Sequence, residues 1–315
     1  MREGDYSMRC LVTGGSGFIG SHLVDKLRER DIEVCVFDMV MPRYRKDIEY
    51  YQGSVLDFDA VRMSMHGIDA VFHLAAVADV KDVFQEPHYS EAINVRGTIN
   101  VLEAARRTPS VQRVILGSTT WVYSDAPGER VDESTPLGAP KHLYTASKLA
   151  AEYYCESYRH LYGLQTTILR YGIPYGPRSR AGAVLPTFVS RALRGEPITI
   201  AGDGQQYRKF VYVEDLALGN LLALKPVAAN QTYNLDGREK VTIRQIAETV
   251  QRLVGNVEIQ YVPARPGDFS GKEVSSEKAR IELGWEASTP FEEGVRRYVE
   301  WYRAEGQYQQ DWVEL

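Results

Sequence analysis

Tyr144-Thr145-Ala146-Ser147-Lys148 sets a phenol and an ammonium group four residues apart. On a helix, positions i and i+4 share one face, a turn apart. An isolated tyrosine titrates at about 10, too high for a general base at neutral pH. A neighbouring lysine cation favours the phenolate and brings such a base into range. Alone, the pattern also describes a surface tyrosine beside a solvated lysine. Its weight comes from Ser118-Thr119-Thr120-Trp121-Val122-Tyr123, which ends an apolar run expected as a strand. Hydroxyls at a strand's carboxyl end face the crevice where open α/β sheets bind ligands. Thr119 there either holds the substrate oxygen from which Tyr144 takes a proton, or stabilises a turn.

A second constellation is Thr13-Gly14-Gly15-Ser16-Gly17-Phe18-Ile19-Gly20. Glycines at 14, 17 and 20 join a strand to a helix in a variant of the dinucleotide fingerprint. The first permits a tight turn, the second admits a pyrophosphate to the backbone, and the third lets helix and sheet pack closely. The helix start at Phe18 and Ile19 offers N–H groups to phosphate. Asp38 ends the second expected strand, about 20 residues on, where a carboxylate takes ribose hydroxyls and repels a 2′-phosphate. NAD is therefore expected rather than NADP, although Arg43 and Arg45 lie close to Asp38 in sequence.

These groups need a scaffold. Strands are expected at Arg9–Thr13, Glu33–Asp38, Ile48–Gln52, Ala70–Leu74, Val111–Gly117 and Thr166–Arg170. Helices are expected at Phe18–Arg30, Tyr89–Arg107, with a stripe through Ile93, Val95, Ile99, Val101 and Leu102, and Leu143–Tyr162. The alternation implies βαβ units and a mainly parallel, doubly wound α/β sheet of the Rossmann type. Tyr171–Arg180, with two prolines and two glycines, reads as a loop. Beyond it, helices are expected at Val184–Leu193, Glu214–Leu224, Thr242–Leu253 and Pro290–Tyr302. Extended segments are expected at Ile198–Ala201, Phe210–Val213 and Gln231–Leu235. The expected division is a dinucleotide domain over 1–170, rejoined by 210–236, and a smaller α+β substrate lobe within 171–315.

With 37 basic and 42 acidic residues among 315, the net charge is −5, and no basic run offers a nucleic-acid surface. No apolar run approaches the roughly 18 to 20 residues that span a bilayer. Cys10, Cys35 and Cys155 are isolated within apolar segments, as expected of reduced core residues in a cytoplasmic protein. His73 lacks the partners a metal site needs, so no metal is expected.

Taken together, these motifs resemble the extended short-chain dehydrogenase/reductase family, and within it the nucleotide-sugar epimerases and dehydratases. The resemblance runs over nearly the whole chain. It includes Thr13–Gly20, His73-Leu74-Ala75-Ala76, Asn94, Ser118–Tyr123, Tyr144–Lys148, Leu169-Arg170-Tyr171 and Tyr175-Gly176-Pro177-Arg178. It continues through Gly202-Asp203-Gly204 to Arg208, Phe210–Asp215, Arg265-Pro266-Gly267-Asp268 and Leu283-Gly284-Trp285. It implies that NAD is held by Gly14, Gly17, Phe18, Ile19, Gly20, Asp38, Ser54, Val55, Leu74, Ala75, Ala76, Asn94, Ser118, Tyr144, Lys148 and Tyr171. It implies that Tyr144, Lys148 and Thr119 carry the redox cycle at the sugar C4. Arg208 and Arg265 would take the substrate's diphosphate, as charge-assisted pairing favours, and Asp268 its ribose. Lys81 either faces the substrate or is solvated. Such relatives are usually homodimers, here through the 89–107 and 143–162 helices, although intramolecular packing explains their aromatics almost as well.

Three departures shape the expected activity. Ser54 replaces the usual acidic contact to adenine. Gly172-Ile173 replaces a Phe-Asn pair whose asparagine touches substrate phosphate. Dehydratases resemble one another in carrying Asp-Glu after the catalytic threonine, and the decarboxylases carry Glu, whereas this chain has Thr120-Trp121. Elimination needs a second acid/base pair, so the leading expectation is a UDP-glucose/UDP-galactose 4-epimerase. A uronic-acid epimerase, a 4-keto reductase or a dehydratase is the alternative. A non-catalytic NAD-sensing module is a further one, and it would need no Tyr144, Lys148 and Thr119 together.

Overall fold

The computed structural model describes residues 8–255, 257–263 and 272–305. Strands β1 Arg9–Thr13, β2 Glu33–Asp38, β3 Glu49–Gln52, β4 Ala70–His73 and β5 Arg113–Thr119 alternate with helices α1 Phe18–Arg28, α2 Phe58–Ser64, α3 Val80–Gln85, α4 Pro87–Glu91 and α5 Gly97–Arg106. Then follow β6 Arg130–Val131, α6 Leu143–Tyr162, β7 Gln165–Tyr171, β8 Ile173–Tyr175, α7 Val184–Leu193, β9 Ile198–Ala201 and β10 Tyr207–Tyr212. The rest are α8 Val213–Leu222, β11 Thr232–Leu235, β12 Lys240–Thr242, α9 Ile243–Val254, β13 Ile259–Val262, β14 Glu273–Val274 and α10 Phe291–Glu305.

The chain divides into two compact units, the first comprising residues 1–171, 216–235 and 272–286. Its sheet has the order β3-β2-β1-β4-β5-β7-β11, and every pair is parallel. Cys10-Leu11-Val12, Val34–Phe37, Ala70–Phe72 and Val114–Leu116 are buried end to end. Strands covered on both faces read as unbroken apolar runs for this reason. Under α2, α5 and α6, Val61, Met65, Val101, Leu102, Ala151 and Cys155 close the core. Segment 272–286, expected in the second unit, belongs to the first. Strand β14 pairs with β6, and a side chain at Gly219 would meet the buried Trp285 indole and Leu235.

The expected single helix over 89–107 is not continuous. A π turn over Ala92–Arg96 separates α4 from α5. The wider turn shifts the helical phase, so Ile93, Val101 and Leu102 are buried while Val95 and Ile99 are only half-buried. Part of the expected 171–180 loop is strand β8. It is the edge of a three-stranded sheet of order β12-β10-β8, where the missing N–H of Pro174 is tolerated. That sheet belongs to the second unit, 172–215, 236–271 and 287–315. There β9 and β13 pair in parallel, and Phe188, Val189, Ile246, Val250, Val295 and Tyr298 pack a separate core.

Candidate active site

Strand β1 delivers the chain into the glycine turn. Gly14 has φ of +72°, and a Cβ there would lie 2.6 Å from the Ala75 nitrogen. A Cβ at Gly20 would overlap the Gly14 carbonyl. Both positions therefore require glycine, one for its backbone angle and both for close approach. A Cβ at Gly17 would meet only the Gly14 oxygen, at 3.2 Å, so the space over the turn is open. Gly17 is the N-cap of α1, and no side chain caps the first turn. The amides at Phe18 and Ile19 are thus offered to an anion, as a pyrophosphate cradle requires.

Beside the cradle, Asp38 Oδ2 accepts from Ser16 N at 3.0 Å and Oδ1 from Val40 N at 3.1 Å. Each carboxylate oxygen keeps a lone pair for a ribose hydroxyl. Arg45 is committed to Asp25 at 2.8 Å and to Asp47, and Arg43 lies over the Tyr44 ring. The geometry therefore gives a 2′-phosphate a fixed anion and engaged arginines. Ser54 turns its hydroxyl to Leu56 N at 3.3 Å, while the Val55 side chain is core. Leu74-Ala75-Ala76 leave β4 beside the cradle, with Leu74 N donating to Thr13 O. These observations fit a bound dinucleotide.

His73 closes β4, fully enclosed. Its Nδ1 lies 2.8 Å from Thr13 Oγ1 and its Nε2 3.0 Å from Thr98 Oγ1. The Thr98 hydroxyl donates its one proton to Asn94 O at 2.7 Å, so His73 Nε2 must be the donor and Nδ1 the acceptor. Burial, reinforced by the Lys148 charge, pushes its pKa down to about 3. His73 is thus a neutral structural link. Asn94, in the π turn, accepts from Val77 N at 2.8 Å and donates to Val77 O and to Ser147 Oγ. It therefore ties the segment after β4 to the helix of Tyr144.

Helix α6 begins at an unusual cap, the His142 ring, whose Nδ1 accepts from Tyr144 N at 3.2 Å. Tyr144 is half-buried in the first turn, and Lys148 is buried one turn on. The Lys148 ammonium donates to Gly117 O at 3.0 Å, which draws it to the end of β5. Burial lowers its pKa to about 8, against the opposing pull of Glu152. Thr119, on β5, accepts from Trp121 N at 3.2 Å. It stabilises the turn, as one expectation had it, yet its own O–H is left to donate. Tyr171 is buried beside Gly117, and its hydroxyl donates to Asn220 Oδ1 at 2.6 Å. That leaves the Tyr171 ring and backbone, rather than its hydroxyl, for a ligand.

The sequence reading missed what lies beneath. Glu152 accepts from Ser118 Oγ at 2.5 Å and from Arg170 Nη2 at 2.7 Å and Nε at 3.1 Å. Arg170 also donates to Tyr123 OH at 2.6 Å, which donates to Asn234 Oδ1. Burial alone would lower the Arg170 guanidinium, but Glu152 more than offsets it and holds it above its ordinary value. The spacing of Tyr144, Lys148 and Glu152, four and four, was the signal for this group.

Lys81 is exposed on α3. Arg208 lies on β10 in the second unit, where its Nη1 donates to Tyr207 O at 2.8 Å. Arg265 and Asp268 fall outside the described residues.

The chain is similar to known proteins in sequence and in fold. The profile of the NAD dependent epimerase/dehydratase family matches residues 10–236. A putative UDP-glucose 4-epimerase of Methanocaldococcus jannaschii is 34% identical over 303 residues, 93% of this chain and 98% of that one. UDP-glucuronic acid decarboxylase 1 of Xenopus tropicalis is 33% identical over 96% of this chain and 73% of its own length. The crystal structure of UDP-glucose 4-epimerase from Thermus thermophilus, in complex with NAD, superposes with a TM-score of 0.85. It is 35% identical and covers 94% of this chain and 99% of that one. The family profile covers most of the chain and relatives of about a third identity span it, so this protein belongs to the NAD-dependent epimerase/dehydratase family.

Proposed function

We propose that this chain is a 4-epimerase of a UDP-linked hexose, interconverting UDP-glucose and UDP-galactose. NAD held in the glycine cradle would supply the acceptor for hydride from the sugar C4 and the donor for its return to the opposite face. Tyr144 takes the proton from the C4 hydroxyl. The Thr119 O–H, left over from its turn contact, donates to the same oxygen. Lys148 spends one N–H on Gly117 O, which leaves two for cofactor ribose hydroxyls. Its charge also favours the ionised phenol. In this reading Arg208 and Arg265 pair with the diphosphate and Asp268 with the ribose of the substrate, and Lys81 contacts it.

The observation that carries the proposal is that Lys148 of α6 reaches Gly117 O near the end of β5 and Trp121 joins Thr119 to the Tyr144 ring, while the turn Thr120–Tyr123 holds no carboxylic acid. An acid/base pair for elimination is thereby lacking where the sequence would place one. The test incubates purified protein with UDP-glucose and UDP-galactose separately, without added NAD. Interconversion is expected, slowed about 10³-fold in Tyr144→Phe. Turnover of another sugar nucleotide with neither of these interconverted sinks the proposal.

The same reading includes a homodimer through α4, α5 and α6, where Tyr89, Tyr153, Leu161 and Tyr162 are exposed. Light scattering at the monomer mass would refute it. It also includes a cytoplasmic location, which the free, buried cysteines favour. No described helix is long and apolar enough to cross a membrane.

A further inference from the structure

Trp121 stands out in the turn after β5. The residues that follow it, Val122 and Tyr123, are buried, yet the indole is 37% exposed. It is nonetheless fixed in place. Its backbone N–H donates to Thr119 Oγ1. Its ring lies 6.4 Å from the Tyr144 ring at 82°, and 6.0 Å from the His142 ring at 88°. His142 is itself tied to Tyr144 N. One large aromatic surface is thus held edge-to-face against the proposed base and anchored to the hydroxyl that would share its substrate oxygen. Core packing does not account for it, because more than a third of it faces outward.

We propose that Trp121, backed by His142, is the specificity-determining surface for the sugar, and that it selects nucleotide sugars whose exocyclic carbon is uncharged. The inference rests on the epimerase reading and names the substrate class of that site. A pyranose turns C–H groups outward from its ring, and the electron-rich indole face attracts such positive edges while disfavouring an anion. Two cations of the adjoining segment are engaged elsewhere. Lys141, next to His142, pairs with Asp125 at 3.1 Å, and Lys148 is held on Gly117 O. A uronate carboxylate brought against Trp121 would lose water without gaining either lysine, which is costly. A hydroxymethyl or methyl group would lose little.

The test compares the full-length wild type, Trp121→Ala and Trp121→Phe. Epimerisation kinetics are measured on UDP-glucose and UDP-glucuronate, and calorimetric binding on both and on UDP alone. The wild type is expected to favour UDP-glucose by about tenfold or more in kcat/KM. Trp121→Ala should raise its KM about tenfold, the worth of one aromatic contact, with kcat nearly unchanged. UDP affinity should be unaltered, and Trp121→Phe should recover most of the loss. A wild-type preference for UDP-glucuronate, an unchanged KM in Trp121→Ala, or a parallel fall in UDP affinity would each overturn the proposal. Absence of epimerisation would refute the assigned reaction alone. The calorimetric preference for UDP-glucose over UDP-glucuronate, and its loss in Trp121→Ala, would still decide the role of Trp121.

Discussion

Replacing Glu152 by glutamine keeps the shape of the side chain and removes its charge, so it isolates what the buried carboxylate does. Glu152 and Arg170 are both almost fully enclosed, with side chains 6% and 8% exposed. Glu152 accepts two contacts from Arg170 Nε, one from Nη2 and one from Ser118 Oγ. Without the carboxylate, the guanidinium keeps Tyr123 OH but no counter-charge, and Lys148 loses its nearest anion. Breaking a buried pair from one side costs about 3–5 kcal/mol, most of it the stranded charge. We expect Glu152→Gln to lose stability in that range. Arg170→Met should do likewise, since it strands the carboxylate. The double variant Glu152→Gln/Arg170→Met strands neither charge of the pair, so it should cost less than the sum. Urea unfolding at pH 7 measures all four corners of the cycle, with m unchanged where only stability moves. A loss below about 1 kcal/mol in Glu152→Gln, or additivity in the double variant, would refute the reasoning.

Other consequences are open to measurement. Because Lys148 titrates at about 8, kcat/KM should fall on an alkaline limb near that value as the cation beside Tyr144 is lost; a profile flat to pH 10 would contradict this. His73 should remain the neutral Nε2–H tautomer by ¹⁵N NMR down to pH 4. Between pH 6.5 and about 3 the unfolded chain takes up a proton there that the native state refuses. His73 should therefore subtract stability as pH falls through that window, and a native titration near 6.5 would disprove it. Gly20→Ala forces a methyl group into the Gly14 carbonyl. It should lower the melting temperature and abolish NAD binding by calorimetry, and near wild-type affinity would show that the turn tolerates a side chain.

What could be read before folding was what depends on neighbours in the chain. Gly14, Gly17 and Gly20 carry their meaning in their spacing, as do Tyr144 and Lys148, because a turn or a helix is a local object. Strand β8 was hidden because Pro174 signals a break, and only its position at a sheet edge makes it harmless. The π turn that aims Asn94 at Val77 and Ser147 has no periodic signature. His142 was overlooked because histidine is a rare cap beside serine or aspartate. Strand β14, two residues long, offers too few positions for alternation to show. Strand β8, the Asn94–Ser147 contact and β14 each concern a partner distant in sequence, which local pattern does not encode.

The first unit is sewn together from three stretches of polypeptide, and that governs how it can be cut. A fragment ending at Tyr171 would retain the glycine turn and the Tyr144 helix. It would forfeit β11, leaving the β7 backbone groups open along a new sheet edge, the kind of edge that recruits foreign strands. It would also shed Asn234 and Asn220, the acceptors for Tyr123 and Tyr171. Such a truncation should precipitate rather than yield a minimal dinucleotide-binding module. A circular permutant that keeps all three stretches should stay soluble.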